Sequence, residues 1–155
     1  MLGRILVLSL LVLVAGCKID EFGPVSAEQY GDFTVSGLDR AELNKCFHNL
    51  LKTKAHTATW RIVGTGQLVA RNIMQTGRGR DRAVTNNLRS VHVKVQGKGA
   101  LKVPMKLTYS CLYDIKGGRP RYIGNCLYNP TTKVVELCSM IPEYQDSIYA
   151  NPRAL

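Results

Sequence analysis

The side chains of this chain best suited to chemistry are its five cysteines and three histidines. Cys17, Cys46, Cys111, Cys126 and Cys138 are widely spaced, and no two form the Cys-x-x-Cys pair used by redox dithiols and zinc ribbons. His48, His56 and His92 lie apart as well, and none stands four residues from a second ligand on a helix, the spacing that aims two donors at one metal. Each reads as a solvated structural histidine. The acidic residues are few and scattered, which argues against a pair of carboxylates flanking a scissile bond. There is no Gly-x-Ser-x-Gly elbow, and Gly64-Thr65-Gly66 lacks the glycine and lysine that would complete a phosphate loop. No catalytic residue, metal ligand or cofactor is expected, and the chain reads as non-enzymatic.

Charge is the one chemical asymmetry. Over 155 residues the formal net charge is +10. Between Leu43 and Tyr113 thirteen lysines and arginines are opposed by Asp81 alone, and most acidic residues fall nearer the two ends. Lys94, Lys102 and Lys106 alternate with apolar residues and so share a predicted solvent face with His92. Gly77 to Arg82 reads as a polar loop in which Arg78, Arg80 and Arg82 form a cationic tip. One reading is a well-hydrated surface that keeps the protein soluble. The other is a site for an anionic partner, with Arg78, Arg80, Arg82, Lys94, Lys102 and Lys106 as the contacting residues. Nucleic acid is not expected, because no stacking aromatics are interleaved with the charge.

The first sixteen residues are set apart by pattern. Arg4 precedes an apolar run from Ile5 to Val14 that only Ser9 interrupts, followed by Ala15, Gly16 and Cys17. A spanning helix needs about 20 apolar residues, so so short a run fits the core of an export signal. Leu13-Val14-Ala15-Gly16-Cys17 resembles the lipobox of bacterial lipoproteins. That resemblance implies a diacylglycerol on the Cys17 thiol, cleavage before Cys17, acylation of the new amine, and a domain held on a membrane of the cell envelope. Lys18 follows, where an aspartate would go with retention at the inner membrane, so the resemblance leans toward the outer membrane. With Cys17 taken by lipid, Cys46, Cys111, Cys126 and Cys138 remain, an even number that in an exported chain implies disulfides with three possible connectivities.

The elements that position these residues follow from periodicity. Residues 17–35 are expected to form a lipidated tether, 36–142 a single domain and 143–155 a tail. Ser36 is the expected N-cap of a helix over 37–54, on which Leu43, Cys46, Phe47, Leu50 and Leu51 make one apolar stripe. Thr57 to Val63 reads as a strand, whereas Gln67 to Gln75 fits either helix or strand, and residues 57–89 are not settled by pattern. From Ser90 the period is two: Val91, Val93 and Val95 face one way, then Leu101 to Tyr113 alternate in a second strand. Gly117-Gly118 turns the chain into Arg121 to Tyr128, and Asn129-Pro130 turns it into Val134 to Met140.

The predicted fold class is therefore α+β: an antiparallel meander of about four strands, packed by an N-terminal amphipathic helix and stabilised by disulfides. A turn centred near Gly118-Arg119 would set Cys111 opposite Cys126 and leave Cys46 and Cys138 to tie helix to sheet; a slip of one residue changes that pairing. The expected function is a membrane-anchored envelope lipoprotein with a small basic binding or accessory domain. The alternative is an inhibitor or exclusion lipoprotein that blocks a lysozyme, a toxin or a phage receptor.

Overall fold

A computed structural model describes residues 23–76 and 82–145. They form six antiparallel strands: β1 (Arg61–Thr65), β2 (Val69–Thr76), β3 (Arg82–Lys98), β4 (Pro104–Lys116), β5 (Arg119–Asn129) and β6 (Val134–Met140). One α-helix, α1 (Arg40–Lys52), precedes them, and short 3-10 turns lie at Ala27–Tyr30, Thr57–Thr59 and Pro142–Tyr144. The sheet runs β1-β3-β4-β5-β6, with β2 also pairing β3. The mostly antiparallel α+β plan thus holds, but with six strands rather than about four, and with the helix behind an N-terminal segment that is itself part of the domain.

The spine is β3, 17 residues long. Its C-terminal half pairs with β4 from Leu88 to Lys98, placing Val91, Val93 and Val95 on the face that α1 covers. Its other edge is shared in succession: β1 pairs with Val93 to Gln96 and β2 with Arg82 to Ser90. The hand-over falls at Gly66, whose N–H donates to His92 O at 2.7 Å.

The N-cap of α1 is Asp39, not Ser36. Gly37 has φ +80°, which no α-helix accommodates, so the first intrahelical bond runs from Leu43 N–H to Asp39 O at 3.0 Å. All five stripe residues are buried, and Phe47 and Leu51 are fully inaccessible. Burying side chains of this size contributes about 1.5–3 kcal/mol each. The stretch predicted as a tether is packed from Gly23 onward. Val35 is buried, and Gln29 Nε2 donates to Thr57 O and Trp60 O at 2.8 and 2.7 Å.

The strand expected from Thr57 begins only at Arg61. The Thr57 and Thr59 hydroxyls donate back to Lys54 O and His56 O at 2.7 and 2.9 Å, holding a turn in place of an extended ladder. Trp60 then stands on Gly97, where a Cβ would lie 2.3 Å from the indole, and its Nε1 donates to Ala55 O and Lys98 O.

All four remaining cysteines are paired, but as Cys46–Cys111 and Cys126–Cys138. The pairing of Cys111 with Cys126 fails for two reasons. Gly117 and Gly118, with φ of +60° and +76°, are the two central residues of a tight hairpin turn, so Lys116 faces Arg119 and the turn sits about one residue earlier than expected. A bulge between Leu112 and Tyr113 then resets the register, leaving Cys111 opposite Asn125 and Ser110 opposite Cys126. The two thiols therefore point to opposite faces. Cys111 meets the helix, and Cys126 meets Cys138 across a second bulge, where Leu137 takes φ +49°.

Candidate binding surface

The face of the sheet away from α1 has two parts. At one end Leu88, Leu112, Ile123, Cys126 and Met140 form a second small core, with Val135, Cys138 and Tyr144 packed around it. Further along β3 and β4 the side chains turn polar. Arg71 on β2 donates from Nε to Ser90 Oγ at 2.8 Å, and its Nη2 lies 3.1 Å from His92 Nε2. His92 stacks on Tyr128, with ring centroids 4.1 Å apart and planes 28° from parallel. An Arg71 donor makes Nε2 the acceptor, so Nδ1 carries the ring proton; that atom is buried without a hydrogen-bond partner. Burial, and then the charge of Arg71, holds the imidazole below its usual pKa. His92 is thus a neutral, half-buried ring rather than a solvated one.

Beyond this cluster the lysines emerge. Lys94 faces Thr108, and Lys106 faces Gln96, so the two sit diagonally across the β3–β4 ladder on the open face. Both are exposed, as is Lys102, which takes φ +60° in the turn between the strands. Among the described residues the one ion pair is Lys45 with Glu42 at 2.5 Å, so these lysines have no carboxylate against them there. Of the six predicted contact residues, three lie together and the backbone of a fourth lies apart. Lys94, Lys102 and Lys106 gather at the β3–β4 hairpin end, while Arg82 begins β3 twelve residues before Lys94, about 40 Å away along an extended strand. Arg78 and Arg80 lie outside the described residues.

The hairpin end holds more than the sequence pattern suggested. Leu101 and Val103 are not inward-facing strand residues. Lys102 N–H bonds to Gly99 O at 2.8 Å and Gly99 N–H to Val103 O at 3.0 Å, closing a turn that carries them past the sheet, so β4 starts at Pro104. Leu101 is 88 % exposed, Val103 57 % and Met105 40 %. Lys98 and Lys133 are exposed at the same end. The available signal was Lys98-Gly-Ala-Leu-Lys-Val-Pro-Met-Lys106, where lysines four apart bracket apolar residues across a glycine turn.

The opposite end carries both signs of charge, with Glu42 and Glu143 beside Lys45 and Arg121. Glu42 Oε2 accepts from Tyr122 N–H at 2.7 Å; burial works to raise its pKa, but Lys45, that N–H and Arg121 together hold it below the ordinary value. Asp114 accepts from Tyr144 OH at 2.9 Å. On the helix side, Lys54 is sunk against the rings of Tyr109 and Trp60 and donates to Tyr109 OH; burial brings its pKa down to about 8.

Three cavities lie among the described residues. One of about 400 Å³ lies among Pro24, Glu28, Gln29, Trp60 and Arg61. Another of about 180 Å³ adjoins Asn49, Tyr122, Asn125 and Ser139, and a third of about 220 Å³ adjoins Glu42, Lys45, Arg121 and Glu143. No histidine lines any of the three. His48 Nδ1 sits 3.1 Å from Tyr30 OH, and His56 Nε2 3.3 Å from Ala100 O. Among the described residues no group of three or more His, Cys, Asp and Glu side chains could hold a metal ion, and no helix is long and apolar enough to cross a membrane. No family model, no curated protein and no solved structure matches the chain.

Proposed function

We propose that this chain is a lipoprotein of a bacterial envelope, more specifically of the outer membrane, that its lipid is carried on Cys17, and that its small domain is a non-enzymatic binding or accessory module for an anionic partner. The observation that carries the binding half is the group of lysines at the hairpin end, Lys94, Lys102 and Lys106, exposed and without a carboxylate against them among the described residues. The paired cysteines support the export half, since disulfides persist in oxidising compartments.

Two measurements test the two halves. Labelled palmitate should enter the protein and be lost in Cys17→Ser; a wild-type chain that stays unlabelled removes the anchor. Reversing Lys94, Lys102 and Lys106 to glutamate should reduce recovery of the co-purifying partner on the order of tenfold. Undiminished recovery would take the binding role away from these residues.

A further inference from the structure

The hairpin end combines two properties that soluble surfaces keep apart. Leu101, Val103 and Met105 stand out from the fold with large apolar exposure, and Lys98, Lys102 and Lys106 alternate with them. The neighbouring β5–β6 turn adds Lys133 and the 45 % exposed Val134, at the same end because Thr108 pairs with Tyr128 and Asn129 with Val134. An apolar tip ringed by cations suits a bilayer interface, where side chains enter the acyl boundary while ammonium groups stay among anionic headgroups. A purely hydrated surface would have no use for the leucine and valine.

The path of the chain brings this tip to one place. Gly23 N–H donates to Thr57 Oγ1 at 3.1 Å. The turn that holds Thr57 also holds the base of the hairpin: Lys98 N–H donates to Thr59 Oγ1 at 3.0 Å, and Trp60 Nε1 to Lys98 O at 2.8 Å. The N-terminal segment therefore meets the domain beside the tip. Cys17 precedes Gly23 by six residues, a reach of at most roughly 20 Å. Of the carboxylates, Glu28 lies on the tip side near Thr59 and Trp60, whereas Asp39, Glu42, Asp114 and Glu143 belong to the other end, where Lys45, Arg119 and Arg121 accompany them.

The geometry points to the β3–β4 hairpin tip as a membrane-contacting wedge that seats the domain on an anionic lipid surface, apolar tip inward and the far β4–β5 turn outward. In placing the tip at the membrane that holds the chain, this rests on the lipoprotein reading. It goes beyond that reading by naming the partner as the bilayer itself.

The test uses the full chain, processed in cells and purified, with a photo-reactive benzoylphenylalanine at position 101 or 103, or at exposed Arg119 beside the far turn. Each is mixed with vesicles of phosphatidylcholine alone or with phosphatidylglycerol added. Leu101 and Val103 should cross-link to lipid about tenfold more than Arg119, and the yield should depend on phosphatidylglycerol and fall with salt. Changing Lys98, Lys102 and Lys106 together to glutamine should weaken vesicle binding of chain lacking lipid on Cys17 by on the order of a hundredfold. Equal cross-linking from positions 101 and 119 overturns the proposal, as does cross-linking in whole cells to protein instead of lipid. Mass measurement of the Cys17 peptide keeps the two ideas separate. Lipid on Cys17 with a silent tip ends the wedge and spares the anchor, whereas a tip that cross-links on a chain without lipid does the reverse.

Discussion

The two faces of the sheet are each fastened by one disulfide, yet they are built differently. On the helix side, Cys46–Cys111 spans 65 residues and joins an element to the sheet beneath a continuous core that includes Phe47, Trp60 and Tyr113. On the open side, Cys126–Cys138 spans 12 residues and staples neighbouring strands over a cluster of five buried side chains. The helix face is thus a long-range structure whose parts need one another, and the open face a local one. The larger core lies on one side, and the exposed Lys94 and Lys106 on the other.

The sharpest contrast is between two leucines of equal burial. Leu50→Ala on the helix face and Leu112→Ala on the open face each remove a side chain that is 1 % exposed. Losses of 2–5 kcal/mol are the range for such changes, and Leu50 should fall near the top of it because its surroundings are closed on all sides. Leu112 should fall near the bottom, since its small cluster can settle toward the gap. Urea unfolding of both variants measures this, and a larger loss at Leu112 would reverse the comparison.

Next come the disulfides. In the chain-entropy description, opening Cys46–Cys111 by a double alanine change should cost about 4 kcal/mol and opening Cys126–Cys138 about 3. Thermal unfolding should therefore rank the first pair as the more damaging. Equal shifts would mean that loop length does not set the ranking.

The smallest effect is a pH dependence specific to the helix side. Lys54 has its folded pKa pushed down to about 8, against about 10.4 in an unfolded chain. Between those values the unfolded chain binds more protons, so stability should rise as pH increases from about 8 toward about 10. Tyr109, Tyr113 and Tyr122 are pushed up by burial, Tyr122 to about 12, so they keep protons that unfolded tyrosines lose and reverse the trend above about pH 10. Lys54→Met should flatten the rise and leave the decline, as read by denaturant midpoints across that range. A rise that persists in the variant would assign it elsewhere. His92 on the open face, also pushed down, contributes in an acid window: below about pH 6.5 the unfolded chain holds more protons, so stability falls as acid is added.

The helix was legible because five apolar residues share one stripe, and its start was missed because Ser36 is a good cap placed before a glycine that cannot be helical. Val91, Val93 and Val95 declared β3 by alternation. Arg61 to Val63 was legible as strand from its residue types, but Gln67 to Gln75 was not, because β2 has an irregularity between Arg71 and Ile73 that breaks the period on which such a reading depends. The cysteine partners depended on two bulges that leave no mark in composition. Alternation also misled at Leu101 and Val103, where the period of two continued numerically into a turn outside the sheet. The cationic character of Lys94, Lys102 and Lys106 was visible from spacing, whereas their separation from Arg82 follows from the length of β3. Arg71 and Tyr128, which flank His92, were missed because both come from strands remote in sequence.

Trp60 seated on Gly97 has a mechanical consequence. A pull applied at Gly23 is met first by the Thr57 hydroxyl and then by the two bonds from Gln29 to Thr57 O and Trp60 O. Trp60 cannot follow without dragging its ring across Gly97 and breaking its bond to Lys98 O. Tension entering at that end is delivered to the central strand and shared along its ladders in shear, instead of unzipping the short edge strand one bond at a time.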